Sequence, residues 1–396
     1  MIIQKRSLRV MVLACMLMSG VNVCSWAQEP RGFQFNKLSI SPFVNLEYMY
    51  DSNVNYDKNE MDDSILRVNP GVDLSYRGNE WGLNANAWYA YDWYLDLNDL
   101  NADRYGERID VYRESAKGWR LSLRQNYMKT SQDDSIVDGG RGLWRDREEF
   151  GFGGALAYEF SEKTTATLNA SYSDLTYAED QVQYGALYGW QEWSTGLEIA
   201  RKLSEKSNVL LSGSYQEYTS DGAFGMDNNS SGYTLHVGVG SRATERIRYR
   251  LLTGATWFDY AGADQVAGWT YSVDASWVIS KKLAATIAGS SYFQPSEQEA
   301  NQAMQVYSLS AGLSYKPMRR LSTRLDLAFR REESQFNVGA GGAYTDDRYS
   351  VRARADYELQ RYVTLYSGVE LEKTMSDESL NEYDRYRLSL GMNFRY

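Results

Sequence analysis

The 396-residue sequence predicts an all-β fold, a transmembrane antiparallel up-and-down β-barrel of about 18 strands, and three observations carry that expectation. Long stretches alternate apolar and polar side chains, the period of a strand and not of a helix. Short turns and long polar loops take turns along the whole chain. The chain holds 32 Tyr and 11 Trp against only 5 Pro, an aromatic enrichment that suits membrane interfaces. The stretch Tyr386 to Tyr396 shows the alternation without a fault. Tyr386, Leu388, Leu390, Met392, Phe394 and Tyr396 share one face, while Arg387, Ser389, Gly391, Asn393 and Arg395 share the other. About 11 residues at roughly 3.3 Å each, tilted near 40°, rise about 28 Å, which matches an apolar layer of about 25 to 30 Å.

The N-terminus carries an expected Sec signal over 1–27: Lys5, Arg6 and Arg9, then the apolar run Val10 to Met18, then Ser25-Trp26-Ala27 with cleavage after Ala27. The run is too short for a membrane helix of about 20 residues. Cys15 and Cys24 both fall inside it, so disulfides play no part in the exported chain. A lipoprotein site at Cys24 would need a small residue where Val23 stands. A polar leader follows over 28–37, and the barrel domain over 38–396.

Leu38 to Tyr50 is the first spanning strand, with Leu38, Ile40, Val44, Leu46, Tyr48 and Tyr50 on one face. Asp51 to Asp63 reads as a polar, solvated loop. It lacks the ligand spacing of a dedicated calcium loop. Ser64 to Tyr76 returns, Arg77 to Glu80 turns, and the rhythm repeats. Further short turns fall at Ser115 to Gly118, Ser161 to Lys163, Ser204 to Ser207, Arg242 to Glu245, Ser280 to Lys282, Lys316 to Arg320 and Gln360 to Tyr362. Long loops fall at Asp96 to Arg104, Ser131 to Trp144, Asp174 to Gly189, Thr219 to Ser231, Ala261 to Ala267, Pro295 to Ala303, Ser334 to Thr345 and Thr374 to Asp384. Nine loops and eight turns make about 18 strands, and an even count with both ends on the short-turn side suits a single-chain barrel with turns in the periplasm and loops outside. A propeller also repeats near this period, but its blades need about twice as many, shorter strands.

The outward faces must be nearly free of charge, since Arg or Lys at mid-membrane costs about 2 to 4 kcal/mol. Trp81 to Trp93, Phe150 to Phe160, Ile247 to Trp257 and Tyr349 to Leu359 all pass, with Arg201 and Glu217 only near strand ends. Tyr105 to Ser115 is the exception. There Glu107 and Arg113 flank Ile109 and Val111, and the register stays open.

The alternate residues then line a lumen, which in a barrel of this size holds water unless plugged; the loops at Ser131 to Trp144 and Asp174 to Gly189 are long enough to fold inward. Its candidate lining includes Arg246, Arg248 and Arg250 on one strand, and Arg324, Asp326, Arg330, Arg348, Arg352, Arg354, Asp356, Glu358, Glu370, Arg387 and Arg395 near the C-terminus. Such residues act either as an anion or sugar filter or as cross-strand charge ladders that stiffen the wall. His236 falls on the same face as a wall residue; catalysis would need a serine beside it, and no such pair stands out. One histidine and no cysteine beyond the signal leave no ordinary zinc or haem site. No catalytic, cofactor or metal residues are expected. The net charge of −10 argues against nucleic acid as a partner, and a mean hydropathy of −0.54 is compatible with a barrel because alternation halves its apolar content.

Tyr50-Asp51-Ser52-Asn53-Val54, followed by Ser64 to Tyr76, resembles the first hairpin of the putative β-barrel porin 2 family, and the alternating end on Tyr396 resembles the assembly signal of bacterial outer-membrane barrels. The resemblance implies an outer-membrane barrel, sometimes linked to exopolysaccharide production, with lipid and the barrel-assembly machinery as partners. The reading that follows is a channel for small hydrophilic solutes. Its alternatives are an export channel for an acidic exopolysaccharide and a closed surface barrel.

Overall fold

A computed structural model describes residues 32–56, 58–115, 118–130, 146–177, 189–220, 229–260, 265–295, 303–334, 345–377 and 382–396. They form a closed antiparallel barrel of 18 strands plus one short extra strand. The extra strand is β1 (Phe33–Phe35). The wall is β2 (Leu38–Asp51), β3 (Asp63–Arg77), β4 (Trp81–Tyr94), β5 (Ala102–Glu114), β6 (Trp119–Thr130), β7 (Arg147–Ser161), β8 (Thr164–Tyr177), β9 (Trp190–Lys202) and β10 (Ser207–Ser220). It continues through β11 (Ser230–Ser241), β12 (Ile247–Tyr260), β13 (Val266–Ser280), β14 (Leu283–Pro295), β15 (Ala303–Met318), β16 (Leu321–Ser334), β17 (Thr345–Gln360), β18 (Val363–Ser376) and β19 (Tyr383–Arg395). Each strand pairs with its sequence neighbours, and β19 closes on β2 from Arg387↔Asp51 to Arg395↔Phe43. Wall strands run 12 to 16 residues, about twice the length usual in soluble sheets.

The expected turns and loops fall between these strands, except that β8, β15 and β18 run on to Tyr177, Met318 and Ser376 and β5 begins already at Ala102. Register shifts occur beside four short turns, between Glu159/Ser161, Val278/Ser280, Tyr315/Met318 and Glu358/Gln360. A residue added at a hairpin end is absorbed as a bulge while the rest of the ladder keeps its faces. Pro70 leaves a gap of another kind, with Val68↔Tyr91 and Gly71↔Trp88 paired on either side of it and no ladder partner between.

One face of every strand is apolar and exposed, and its aromatic residues form two belts. On β4, β6, β7, β12, β13, β15 and β17 the pairs Trp81/Tyr89, Trp119/Tyr127, Tyr158/Phe150, Tyr249/Trp257, Trp277/Trp269, Tyr315/Tyr307 and Tyr357/Tyr349 are each eight residues apart. At roughly 3.3 Å per residue and a tilt near 40°, that separation is about 20 Å, close to the apolar band of an outer-membrane barrel. Neighbours within a belt touch: Trp119 stacks on Tyr158 with centroids 4.1 Å apart, and Tyr172 lies 4.5 Å from Trp193.

Two features were not legible in advance. Within the segment expected as a leader, β1 pairs with the start of β2 through Phe33↔Ile40 and Phe35↔Leu38, across a turn at Asn36 with φ of 55°. Phe33 and Tyr362 then hold the ring of Tyr396 between them at 4.7 and 5.2 Å. The inner face also changes character at the loop end of the wall. Met49, Val54, Ile65 and Tyr94 form a buried cluster with Leu97 and Leu100 against it, and Phe258, Tyr260, Val266 and Phe293 form another. The inner residues are polar over most of the wall's height but not at this mouth.

The open register of β5 resolves as a regular strand in which Glu107 stands opposite Ala87 and Tyr127, on the apolar outer face. Gln125 donates to its carboxylate at 3.0 Å. The outer wall is thus not wholly free of charge. Leu390, 63% exposed on β19 between the belt residues Phe394 and Tyr386, tests the assignment of faces. Leu390→Arg lowers stability in lipid by about 2 to 4 kcal/mol, whereas Leu390→Ala has a small effect; heat-modifiable gel mobility after urea titration in liposomes checks it.

Candidate functional site

The inner face carries rows of opposite charge. Cross-strand pairing sets Asp326, Arg352, Glu370, Arg387 and Asp51 side by side on β16, β17, β18, β19 and β2, alternating in sign. Glu370 accepts from Arg352 on one side and from Arg387 on the other, the latter at 2.6 Å. One row over, Arg324 and Arg354 lie directly opposite each other, a like-charge pairing that is unfavourable alone. Asp326 and Asp356, two residues along each strand, relieve it at 2.7 and 2.9 Å. Arg330 pairs with Glu332, Arg348 with Glu372 at 3.9 Å, and Arg395 with Asp73 at 3.3 Å. Arg250 reaches over β10 and β11 to Glu198 on β9, and Arg248 shares its face.

One point corrects the expected lining. Arg246 precedes β12 in the short turn, where its carbonyl accepts from the Val278 amide, so it is not a wall residue. Glu358 lies beside the bulge at the end of β17, opposite Thr364. His236 sits in the wall beside a run of hydroxyls: its Nε2 is 2.9 Å from Thr270 Oγ1, which is 3.0 Å from Thr256 Oγ1, which is 2.8 Å from Thr234 Oγ1.

The loop after β2 is the larger correction. Its first residues are buried and tied to β19, not solvated. Arg385 binds Asp51 in a two-pronged ion pair, with Nε donating to Oδ1 at 2.8 Å. The guanidinium lies 4.2 Å from the Tyr56 ring, and Tyr56 meets Tyr383 edge-on at 5.8 Å. The Ser52 amide donates to the Tyr386 carbonyl and the Tyr386 amide to Ser52 Oγ, at 3.0 and 2.9 Å. Asn53 Nδ2 donates to the Asp384 carbonyl at 3.1 Å. The Asp-Ser-Asn-Val segment is thus a clasp between β2 and β19 that extends their ladder beyond its last pair. At the loop's far end Asp63 accepts from the amides of Ser64, Asp96 and Leu97. Outside the wall, Lys58 bonds Glu382 at 2.7 Å and holds its carboxyl below the usual carboxylate range. Val54 and Tyr56 of this loop pack over inner-face residues at Met49, Ile65 and Arg385; of the two loops long enough to fold inward, 131–144 and 178–188 lie outside the described residues.

Beside the clasp the inner wall of β2 to β5 and β17 to β19 forms a concavity of about 540 Å³. Three aromatic residues, Phe43, Trp88 and Tyr366, line it, each over a cross-strand glycine. A Cβ on Gly71 would meet the Phe43 ring at 2.3 Å, one on Gly391 the Tyr366 ring at 2.2 Å, and one on Gly106 the Trp88 ring at 3.0 Å. Taken singly, aromatics on a polar face look like interruptions of the alternation. Paired with glycines across the ladder, they fit it.

Fold and wall define an outer-membrane β-barrel. The chain belongs to the family described as putative beta-barrel porin 2, whose model matches residues 27–396, far more than the first hairpin. No curated protein matches it. Among solved structures it is similar to an apoprotein form of the FrpB iron transporter of Neisseria meningitidis, at 8% identity and a TM-score of 0.50, covering 92% of this chain and 82% of that one. It is similar also to BauA, the ferric preacinetobactin receptor of Acinetobacter baumannii, at 11% identity, a TM-score of 0.49, and 89% and 80% coverage. These likenesses concern the fold.

Two outcomes test the site. Asp51→Ala removes the two-pronged partner of buried Arg385, leaves it only Glu372 at 3.8 Å, and lowers stability by about 2 to 3 kcal/mol, read from urea unfolding in micelles. Glu370→Gln removes the carboxylate that Arg352 and Arg387 share, so any ionic current through the barrel becomes more anion-selective, measured as a reversal potential across a KCl gradient.

Proposed function

We propose that this barrel is a passive channel for small hydrophilic solutes, a transport protein and not an enzyme. The observation that carries this reading is the inner wall: its hydroxyls, amides and compensated ion pairs form a surface that favours water, inside a barrel of a size that leaves an aqueous passage. A wall whose charges are mostly neutralised from within imposes little barrier on uncharged polar solutes. It also weighs against export of an acidic exopolysaccharide, which would gain from unpaired guanidinium rows. The N-terminal segment serves as the export signal. The outer face of β19, from Tyr386 to Tyr396, presents its alternating apolar residues to the assembly machinery.

Planar bilayers provide the test. The purified, heat-modifiable barrel gives discrete current steps in KCl. Folded protein that inserts and passes no current would leave the closed surface barrel in its place.

A further inference from the structure

We propose that the concavity beside the β2/β19 seam is a binding subsite for a neutral saccharide, recognised one pyranose ring at a time. The inference deepens the channel reading and rests on it only for the ligand's route of access. Recognition of a pyranose needs a flat apolar surface for the ring's C–H face and, around it, paired donors and acceptors for its hydroxyls. Both are present on this stretch of wall.

The flat surface is Trp88. It stands in a cross-strand row with Phe43, Gly71 and Gly106, and its six-membered ring lies against Gly106 on β5. A ring laid on backbone in this way turns its other face to the lumen. The neighbouring rings differ: Arg395 lies 5.2 Å from the Phe43 centroid and Arg354 lies 4.0 Å from that of Tyr366. Among the described residues no cation or second ring covers Trp88.

The hydroxyl-binding groups are amides. Asn69, Asn45 and Asn393 stand directly opposite one another on β3, β2 and β19, with Thr364 next in the row on β18. This row lies two residues along the strands from Phe43 and Gly71. Strands about 4.8 Å apart space the amides so that one ring can engage two of them. Asn45 Nδ2 donates to Tyr366 Oη at 2.9 Å, whereas its Oδ1 is buried and has no partner among the described residues. An amide offers a donor and an acceptor together, which is what a hydroxyl requires.

The charges choose the class of sugar. The guanidiniums at the concavity all have carboxylates of their own: Arg67 and Arg104 share Asp92 at 2.6 and 3.2 Å, Arg354 has Asp356 at 2.9 Å and Arg395 has Asp73 at 3.3 Å. Glu47 adds a further carboxylate 3.8 Å from Arg67. A uronate entering here would have to displace one of these and leave it unpaired.

The test is equilibrium dialysis of the full chain in amine-oxide micelles, which carry no sugar head group. The probes are maltohexaose, cellohexaose and mannohexaose, with hexagalacturonate as the acidic counterpart. At least one neutral probe binds at millimolar concentration and better than hexagalacturonate. Trp88→Ala weakens that binding about tenfold, the worth of one stacked aromatic face, and Trp88→Phe restores part of it. Heat-modifiable mobility confirms that both variants are folded, and Asn69→Ala gives a second variant that leaves the aromatic row intact. The proposal is overturned if none of the neutral probes binds, if hexagalacturonate binds best, or if folded Trp88→Ala and Asn69→Ala bind as the parent does. Dialysis does not depend on conduction: current without sugar binding removes the subsite and keeps the channel, and binding without current does the reverse.

Discussion

Every backbone N–H and C=O in hydrocarbon must find a partner within the protein, because no water is there to replace it. That demand makes closure of the sheet the condition for everything else. Most neighbouring strands meet with only a hairpin to bring them together, but β2 and β19 meet across the whole length of the chain. Their ladder has nine pairs, from Arg387↔Asp51 to Arg395↔Phe43, fewer than the hairpin ladders beside it. The clasp of Asp51, Ser52 and Asn53 on Arg385, Tyr386 and Asp384 supplies at the loop end the pairing that the ladder lacks. At the turn end Tyr396 lies between Phe33 and Tyr362, and its amide bonds the Pro42 carbonyl at 3.1 Å.

Closure also explains where the polar chemistry collects. The alternating row from Asp326 to Asp51 runs straight across the seam, so the charges that line the lumen also tie the last strands to the first. The seam strands β2 and β19 hold Asn45 and Asn393, with Asn69 on β3 and Trp88 on β4 beyond them. A like-charge pair such as Arg324 and Arg354 is tolerated only because each strand carries its own carboxylate two residues on. The wall is therefore polar without being strongly charged, which is the property the proposed passage requires.

Much of this was legible in the sequence because a strand's side-chain period is two and a barrel repeats it. Strand bounds, turns and the faces of Arg352, Glu370 and Arg387 follow from parity alone. What parity cannot convey is distance across the ladder. Asp51 and Arg385 are 334 positions apart and meet only once the sheet closes, so a loop full of aspartates looked solvated. Arg246 has the right parity for the wall but falls just before β12 begins, where the alternation no longer has a sheet to act on. The apolar mouth at Met49, Ile65 and Tyr94 breaks the polar-inside rule for a different reason: the chain folding over it removes those side chains from water. Glu107 breaks the outer rule, and Gln125 beside it takes up part of its hydrogen-bonding need.

The central claim is that alternate residues of each long strand meet lipid and water. Spin labels placed singly at 387 to 390, 392 and 393 of β19 test it directly, in a chain whose Cys15 and Cys24 are replaced by Ser and which is reconstituted in liposomes. The account predicts that labels at Leu388, Leu390 and Met392 collide preferentially with oxygen, and those at Arg387, Ser389 and Asn393 with a water-soluble nickel chelate. Accessibility that fails to alternate, or alternates in the opposite phase, would contradict it.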